Sequence, residues 1–294
     1  MLNDRGKSLL HLHFLIFLWG FTSILGALIH LDSLPIVWYR MSLAAAMIAV
    51  YFVLFSRKSF QIHPGALKYY VLGGVLISVH WVLFFYAIKI SSISLTLSIL
   101  SSASLMTSIL EPIFYKRPFR KYEIFFGFFV ILGLYLIFGV QKENLLGILA
   151  ALACTLLSVL FSLLNGKLIE QYPANNISFY QLLTGALVMS TAMVFTLETP
   201  SILFELSWED WLWIFLLSSV CTAYATIASV VILKHVTPFT MMISLNLEPV
   251  YAIVFSLLIF GEKELMSTQF YIGVVIILAG VIGNGIYKRQ AQKK

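Results

Sequence analysis

Ten stretches of this chain are each apolar over about the length of a bilayer-crossing helix, and little is left over to fold apart from them. They run over 9–30, 35–55, 68–88, 91–115, 121–140, 144–165, 175–197, 208–234, 238–260 and 268–287. A helix needs about 20 predominantly apolar residues to cross the hydrocarbon layer, and within that layer only helices and closed barrels satisfy their own backbone. The expected fold is therefore an all-α integral membrane protein with ten transmembrane helices. Composition agrees: 11% of the residues are charged, against about 25% in a soluble domain. The gaps near 56–67 and 198–207 hold about a dozen residues each, so any chemistry must occur in the membrane or at its edges.

The first run follows Arg5 and Lys7. It is longer than the apolar core of a signal peptide and lacks a small-x-small cleavage site, so it reads as a retained helix. The net charge of +6 does not imply nucleic acid, because the basic residues fall in short loops, where lysine and arginine set orientation. With the N-terminus in the cytoplasm, fifteen of the nineteen lie on the inner side, three (Lys89, Lys142 and Lys263) on the outer side, and Arg40 within a span. Both termini are expected to be cytoplasmic, in a multi-pass protein of the cell membrane.

The two halves, 1–140 and 141–294, share weak patterns in the same order. AIKISS at 87–92 parallels ILKHVT at 232–237, GFFVILGLYL at 127–136 parallels GVVIILAGVI at 273–282, and WYR ending at Arg40 parallels FYQ ending at Gln181. The offsets are 145, 146 and 141 residues. Because each half has an odd number of helices, the second copy must enter from the opposite face, giving two inverted five-helix repeats as in many secondary transporters.

With these halves, FLWG at 17–20, YR at 39–40, AIK at 87–89 and LEPVYAIVFSLLIFGEKE at 247–264, the chain resembles the EamA-type branch of the drug/metabolite transporter superfamily over essentially its whole length. The most specific element is Pro249 followed by Gly261-Glu262. In the first half Ala103 stands at the proline position and Tyr115-Lys116 replaces the glycine-glutamate pair, so no role of that pair carries over. The resemblance implies a carrier or exporter of small metabolites, with a central cavity lined mainly by helices 1, 3, 4, 6, 8 and 9.

Candidate ligands come from polar groups inside spans. In the fourth span Ser91, Ser94, Ser98, Ser101, Ser104, Ser108, Glu111 and Tyr115 recur every three or four residues and form one helical stripe. Such a stripe lines a water-accessible path or serves helix packing. Buried charge in a membrane is costly and marks function by default. Glu248 is the strongest such group, mid-span with Thr240, Ser244 and Ser256 on its face, and Pro249 beside it frees a carbonyl about a turn earlier. Arg40, toward the outer side, either snorkels to the interface or pairs with a carboxylate. Glu111 serves the site or sits at the cytoplasmic interface.

His80 suits a proton relay as well as a buried structural role. Trp19, mid-helix on a cavity helix, either stacks on a planar or apolar substrate or serves packing, and Trp81, beside His80, helps to shape the site. Asn165, Tyr224, Ser244 and Asn246 complete the candidate binding set, while Gln181 and Asn284 are other polar groups within spans. Arg40, Glu248 and His80 are the candidates for charge pairing or coupling: the sequence admits proton coupling through Glu248 or His80, and equally a carboxylate that only binds an amine. Cys154 and Cys221 both lie within spans, leaving no disulfide framework. Phosphate-loop, HExxH and G-x-S-x-G motifs are absent, and the six histidines do not cluster. No cofactor, metal or catalytic residue is expected.

The expected function is a secondary transporter, an exporter of small amphipathic metabolites such as amino acids. Its partners are a small-molecule substrate and the lipid bilayer, and the sequence admits a homodimer without specifying one. The alternatives are a lipid or glycolipid flippase and, in third place, a membrane-embedded lipid-processing enzyme using the basic cluster from Lys116 to Lys121.

Overall fold

The computed structural model describes residues 4–55, 60–119, 121–140, 145–196, 206–261 and 265–291. Arg57, Lys58, Arg120, Lys142, Glu262, Lys263, Lys293 and Lys294 lie outside these residues, as do the side chains of Lys121, Asn284, Lys288 and Arg289. The described residues are helical between short connections and include no strand. In chain order the helices are α1 (Asp4–Leu28), α2 (Ser33–Phe55), α3 (Leu67–Ile90), α4 (Ile93–Leu100), α5 (Ala103–Tyr115), α6 (Lys121–Val140), α7 (Leu145–Leu168), α8 (Ala174–Thr196), α9 (Trp208–Ser218), α10 (Ala225–Ile232), α11 (Pro238–Leu245), α12 (Glu248–Phe260) and α13 (Thr268–Ala291).

Among the described residues, eight helical stretches are long and apolar enough to cross a bilayer. The pairs α4–α5, α9–α10 and α11–α12 each count as one stretch. In α6 and α13 the apolar segments are shorter, Phe125–Ile137 and Thr268–Gly280. The distribution of side chains is inside out for a protein in water. Arg40, His80, Asn165, Gln181 and more than a dozen hydroxyls are buried, whereas Phe195, Val194 and Leu258 are exposed by 83%, 79% and 75%. Large apolar faces of this kind are covered by lipid, so the chain is a multi-pass membrane protein.

The fourth and ninth spans are each broken in two at corresponding places. Helices α4 and α5 have the bounds of α11 and α12 shifted by 145 residues. Ser92 opens α4 by accepting from Leu95 N at 3.1 Å, and Thr237 opens α11 by accepting from Thr240 N at 3.2 Å. At the breaks the backbone tightens to i−3 bonds, Ser102 N to Ile99 O at 2.9 Å and Leu247 N to Ser244 O at 3.1 Å. This register corrects the sequence alignment by one residue. Ala103 corresponds to Glu248, Ser104 to Pro249 and Lys116 to Gly261. Both Lys116 and Gly261 have positive φ, 54° and 59°, where their helices end. The first copy has Ser104 at the place of Pro249 and is broken too, so a break at this level does not always need a proline.

Call the end of the bundle where α1 begins the near face, and the opposite end the far face. One apolar cluster, built on Ile24, Ile36, Phe85, Leu97 and Leu217 toward the far face, continues along α2 and α8 through Leu182 to Phe52 and Phe179 toward the near face, and a second, built on Leu12, Leu15, Leu163, Ile177 and Met241, lies in the near half. Helices α6 and α13 pack along each other beside these clusters. Gly133 and Gly273 bring their backbones together: a Cβ on Gly133 would stand 2.6 Å from Gly273 O.

The far face is tied by Asp210. Its Oδ2 accepts from Ser207 Oγ at 2.8 Å, and its own N–H donates to Ser207 Oγ at 3.0 Å, closing the N-terminus of α9. Its Oδ1 accepts from His30 N at 2.9 Å and lies 3.2 Å from His30 Nδ1, holding the α1–α2 turn. Asp210→Ala removes the N3 half of a capping box and a loop tie at once. It should cost about 1–2 kcal/mol, taking a cap and a net hydrogen bond together, read as a lower unfolding temperature in detergent.

Candidate functional site

The apolar period of α2 draws Arg40 inward. Val37, Arg40, Met41, Ala44 and Ile48 share its buried face, and Arg40 is 1% exposed. The sequence option that this residue snorkels to the interface is therefore overturned. Its guanidinium carbon stands 3.8 Å from the ring centre of Trp81. Opposite it, a six-residue π-helical turn, Ser219–Tyr224, joins α9 to α10. Arg40 Nε donates to Thr222 Oγ1 at 2.6 Å, and Nη2 donates to Cys221 O at 3.3 Å. Nη1 is buried without a hydrogen-bond partner.

Glu248 is the first residue of α12, set by the break in the ninth span. Its carboxylate makes no hydrogen bond or ion pair among the described residues. It faces the same cavity as Arg40. That cavity has an empty volume of about 1040 Å³, counting the space at its mouth. It lies between the two apolar clusters and takes wall residues from both: Ile77, Trp81 and Phe84 from the far one, Ala103, Leu233, Met241 and Met242 from the near one. Helices of spans 1, 3, 4, 6, 8 and 9 line it, and Arg40 adds span 2. Apolar walls with a few placed polar groups are the usual make-up of a small-molecule site.

Of the residues singled out in the sequence, Trp19, Arg40, His80, Trp81, Ser101, Asn165 and Glu248 line this cavity. His80 Nδ1 is 2.9 Å from Cys154 O. A carbonyl only accepts, so Nδ1 carries a proton. Asn165 Oδ1 accepts from Gln181 Nε2 at 2.8 Å, which fixes the orientation of its amide.

Ser104, Ser108, Glu111, Tyr224, Ser244 and Asn246 are not among the lining residues. Ser104, Ser108 and Ser244 return their hydroxyls to backbone carbonyls of their own spans, at 3.3, 2.7 and 2.9 Å. Asn246 covers the break, donating to Met242 O at 3.2 Å and Ile243 O at 3.0 Å. Tyr224 is 43% exposed and its hydroxyl lies 2.6 Å from His11 Nε2. Glu111 is spent on structure: Oε2 accepts from Phe239 N at 3.0 Å, in the first turn of α11, and Oε1 lies 3.4 Å from Arg117 Nε. A carboxylate is favoured at that helix end. The straight polar stripe expected on the fourth span is interrupted at Ser101–Ser102, and beyond the break its serines bond their own backbone while Glu111 and Tyr115 tie to neighbouring helices.

Sequence reasoning missed Thr155, Ser158 and Ser162 on α7 and Thr226 and Ser229 on α10, all of which line the cavity. The signal was available. Thr155, Ser158, Ser162 and Asn165 recur at three- and four-residue steps, as do Thr222, Thr226 and Ser229, the same rule that singled out the fourth span.

The model of the EamA-like transporter family matches residues 7–139 and 145–286. No curated protein matches the chain. Among the solved structures that match, a crystal structure of a protein does so with a TM-score of 0.71 at 15% identity, over 95% of this chain and 96% of the other. That likeness concerns the fold alone.

Proposed function

Because the chain belongs to the EamA-like transporter family, a family of membrane transporters in the drug/metabolite superfamily, we propose that it is a secondary carrier exporting small amphipathic metabolites of amino-acid type. One observation carries this reading. A cation and an anion with unused bonding capacity, Arg40 and Glu248, face a single cavity with apolar walls. A zwitterion answers both: Arg40 takes its carboxylate, Glu248 its ammonium, and Trp19, Phe84 and Phe161 receive its apolar part. Arginine suits the first role because its planar fork matches a carboxylate.

The carrier is built of ten spans in two inverted units, 1–140 and 141–294, with both termini in the cytoplasm. The shared bounds of the fourth and ninth spans and the loop charges support this arrangement. Broken spans beside a midplane site are a recurring feature of inverted-repeat carriers. On this reading the near face is cytoplasmic. Its ties include Tyr115 Oη to Leu163 O at 3.0 Å, Lys167 Nζ to Phe114 O at 2.9 Å and Glu111 to Phe239 N. The far-face ties include Lys89 Nζ to Ile29 O at 3.2 Å and the Asp210–His30 contacts. Alternation releases one set while the other holds. A cavity lined by helices of both halves is the basis for reading the cargo as soluble.

Efflux of amino acids from proteoliposomes tests the reading. Glu248→Gln should lower transport of amine-bearing substrates about tenfold, the loss of one charge-assisted contact of about 1.4 kcal/mol or more, while the protein still folds. Efflux by the unmodified chain should ignore an imposed pH gradient, as expected of a carboxylate that holds the substrate amine. A fully active Glu248→Gln variant overturns the assignment.

A further inference from the structure

We propose that Thr222 is a positioning residue for Arg40, and that the π-helical turn carrying it leaves one edge of the guanidinium for a substrate carboxylate. The inference rests on the reading of Arg40 as the carboxylate ligand and deepens it.

A guanidinium has two edges that bind a carboxylate in a fork. One pairs Nε–H with an Nη2–H, and the other pairs Nη1–H with the second Nη2–H. In this protein the first edge is filled from within: Thr222 Oγ1 stands 2.6 Å from Nε and Cys221 O 3.3 Å from Nη2. Two adjacent residues of the turn thereby imitate the two oxygens of a carboxylate. The ring of Trp81 covers one face of the plane at 3.8 Å. What remains is the edge containing Nη1, the buried nitrogen without a partner.

The turn also fixes the direction of each bond. Thr222 Oγ1 donates its only proton to Leu217 O at 2.6 Å, five residues back. An ordinary α-turn would offer the carbonyl four residues back. With its proton committed, the oxygen can only accept from Arg40, which can only donate. Tyr224, the last residue of the turn, is held to α1 through His11 at 2.6 Å. Short π-helical stretches are strained interruptions that recur at functional sites, and this one places two acceptors on one edge of a buried cation.

The consequence is selectivity. A carboxylate approaching the free edge finds its fork already oriented, whereas an uncharged amide at the same place leaves the cation without its counter-charge. The test uses the full-length purified protein, with thermal-shift and direct binding measurements against L-amino acids and the corresponding amino-acid amides. The unmodified chain should bind its best amino acid at least tenfold more tightly than the matching amide. Thr222→Val keeps the side chain's shape and removes the acceptor. It should weaken the acid about tenfold and leave the amide unchanged, and Thr222→Ser should restore most of the difference.

If Thr222→Val weakens acid and amide alike, or neither, the positioning role is overturned while the reading of Arg40 stands. If the unmodified chain binds no amino acid, or prefers none to its amide, the carboxylate assignment of Arg40 fails, and this inference with it.

Discussion

Arg40→Met should abolish recognition of carboxylate-bearing substrates while leaving a protein that folds and melts close to the parent. The argument turns on the difference between building a fold and using it. A buried cation in a membrane bundle is costly to place, and exchanging buried charges for apolar groups of similar volume is often neutral or stabilising. Methionine fills irregular space and packs well against an aromatic ring, so Trp81 keeps a neighbour. Thr222 retains its bond to Leu217 O at 2.6 Å. The substrate carboxylate, however, loses its fork and its counter-charge together and must enter a cavity whose remaining charge is Glu248. Two charge-assisted bonds of about 1.5–3 kcal/mol each set the loss at about a hundredfold or more in kcat/KM, taking 1.4 kcal/mol per tenfold. Efflux measured beside a thermal melt checks both halves. A variant that transports normally removes Arg40 from the site, and one that fails to fold assigns it to the scaffold.

The largest effect on stability is expected far from the cavity, at Gly133. Helices α6 and α13 approach closely enough there that an added Cβ would stand 2.6 Å from Gly273 O, a backbone atom that cannot rotate away, and would also meet Ile277. Small residues let membrane helices come together in this way, because packing rather than the hydrophobic effect drives their association. Gly133→Val forces the two helices apart along their shared length and should destabilise the protein by about 3 kcal/mol, the upper part of the usual range for overpacking. Expression and unfolding in detergent check it. None of the described side chains of α6 or α13 lines the cavity, so the protein that survives should bind substrate with unchanged affinity.

Much of this architecture was legible in the chain. Eight of the ten expected spans are long apolar helical stretches, as bilayer thickness and unbroken apolar runs led one to expect, whereas the fifth and tenth hold shorter apolar segments, and the 145-residue offset between AIKISS and ILKHVT located the correspondence of the broken helices. A one-residue slip placed Ala103 opposite Pro249 rather than Glu248, because one proline was weighed more heavily than helix bounds that sequence cannot display. Glu248 and His80 were found because ionisable groups are rare in spans. Arg40 was harder to place: periodicity puts it on the face of Val37 and Ala44, but depth alone also allowed an interfacial position. The stripe from Ser91 to Tyr115 misled in its lower half. Regular spacing assumes a continuous helix, and the break at Ser101–Ser102 hands Ser104, Ser108 and Glu111 to other tasks. The π-helical turn left no mark, since no residue type demands one.

The apolar core is laid out in separate clusters, with the cavity between two of them, and this gives the molecule an uneven stiffness. Each cluster is interlocked like an organic solid and resists deformation, whereas the space between them has forfeited contacts and is crossed by two helices already cut through. A rearrangement around the cavity therefore deforms the part of the molecule with least cohesion to lose. The compliance a carrier requires is concentrated at its waist, at the level where the cargo would sit.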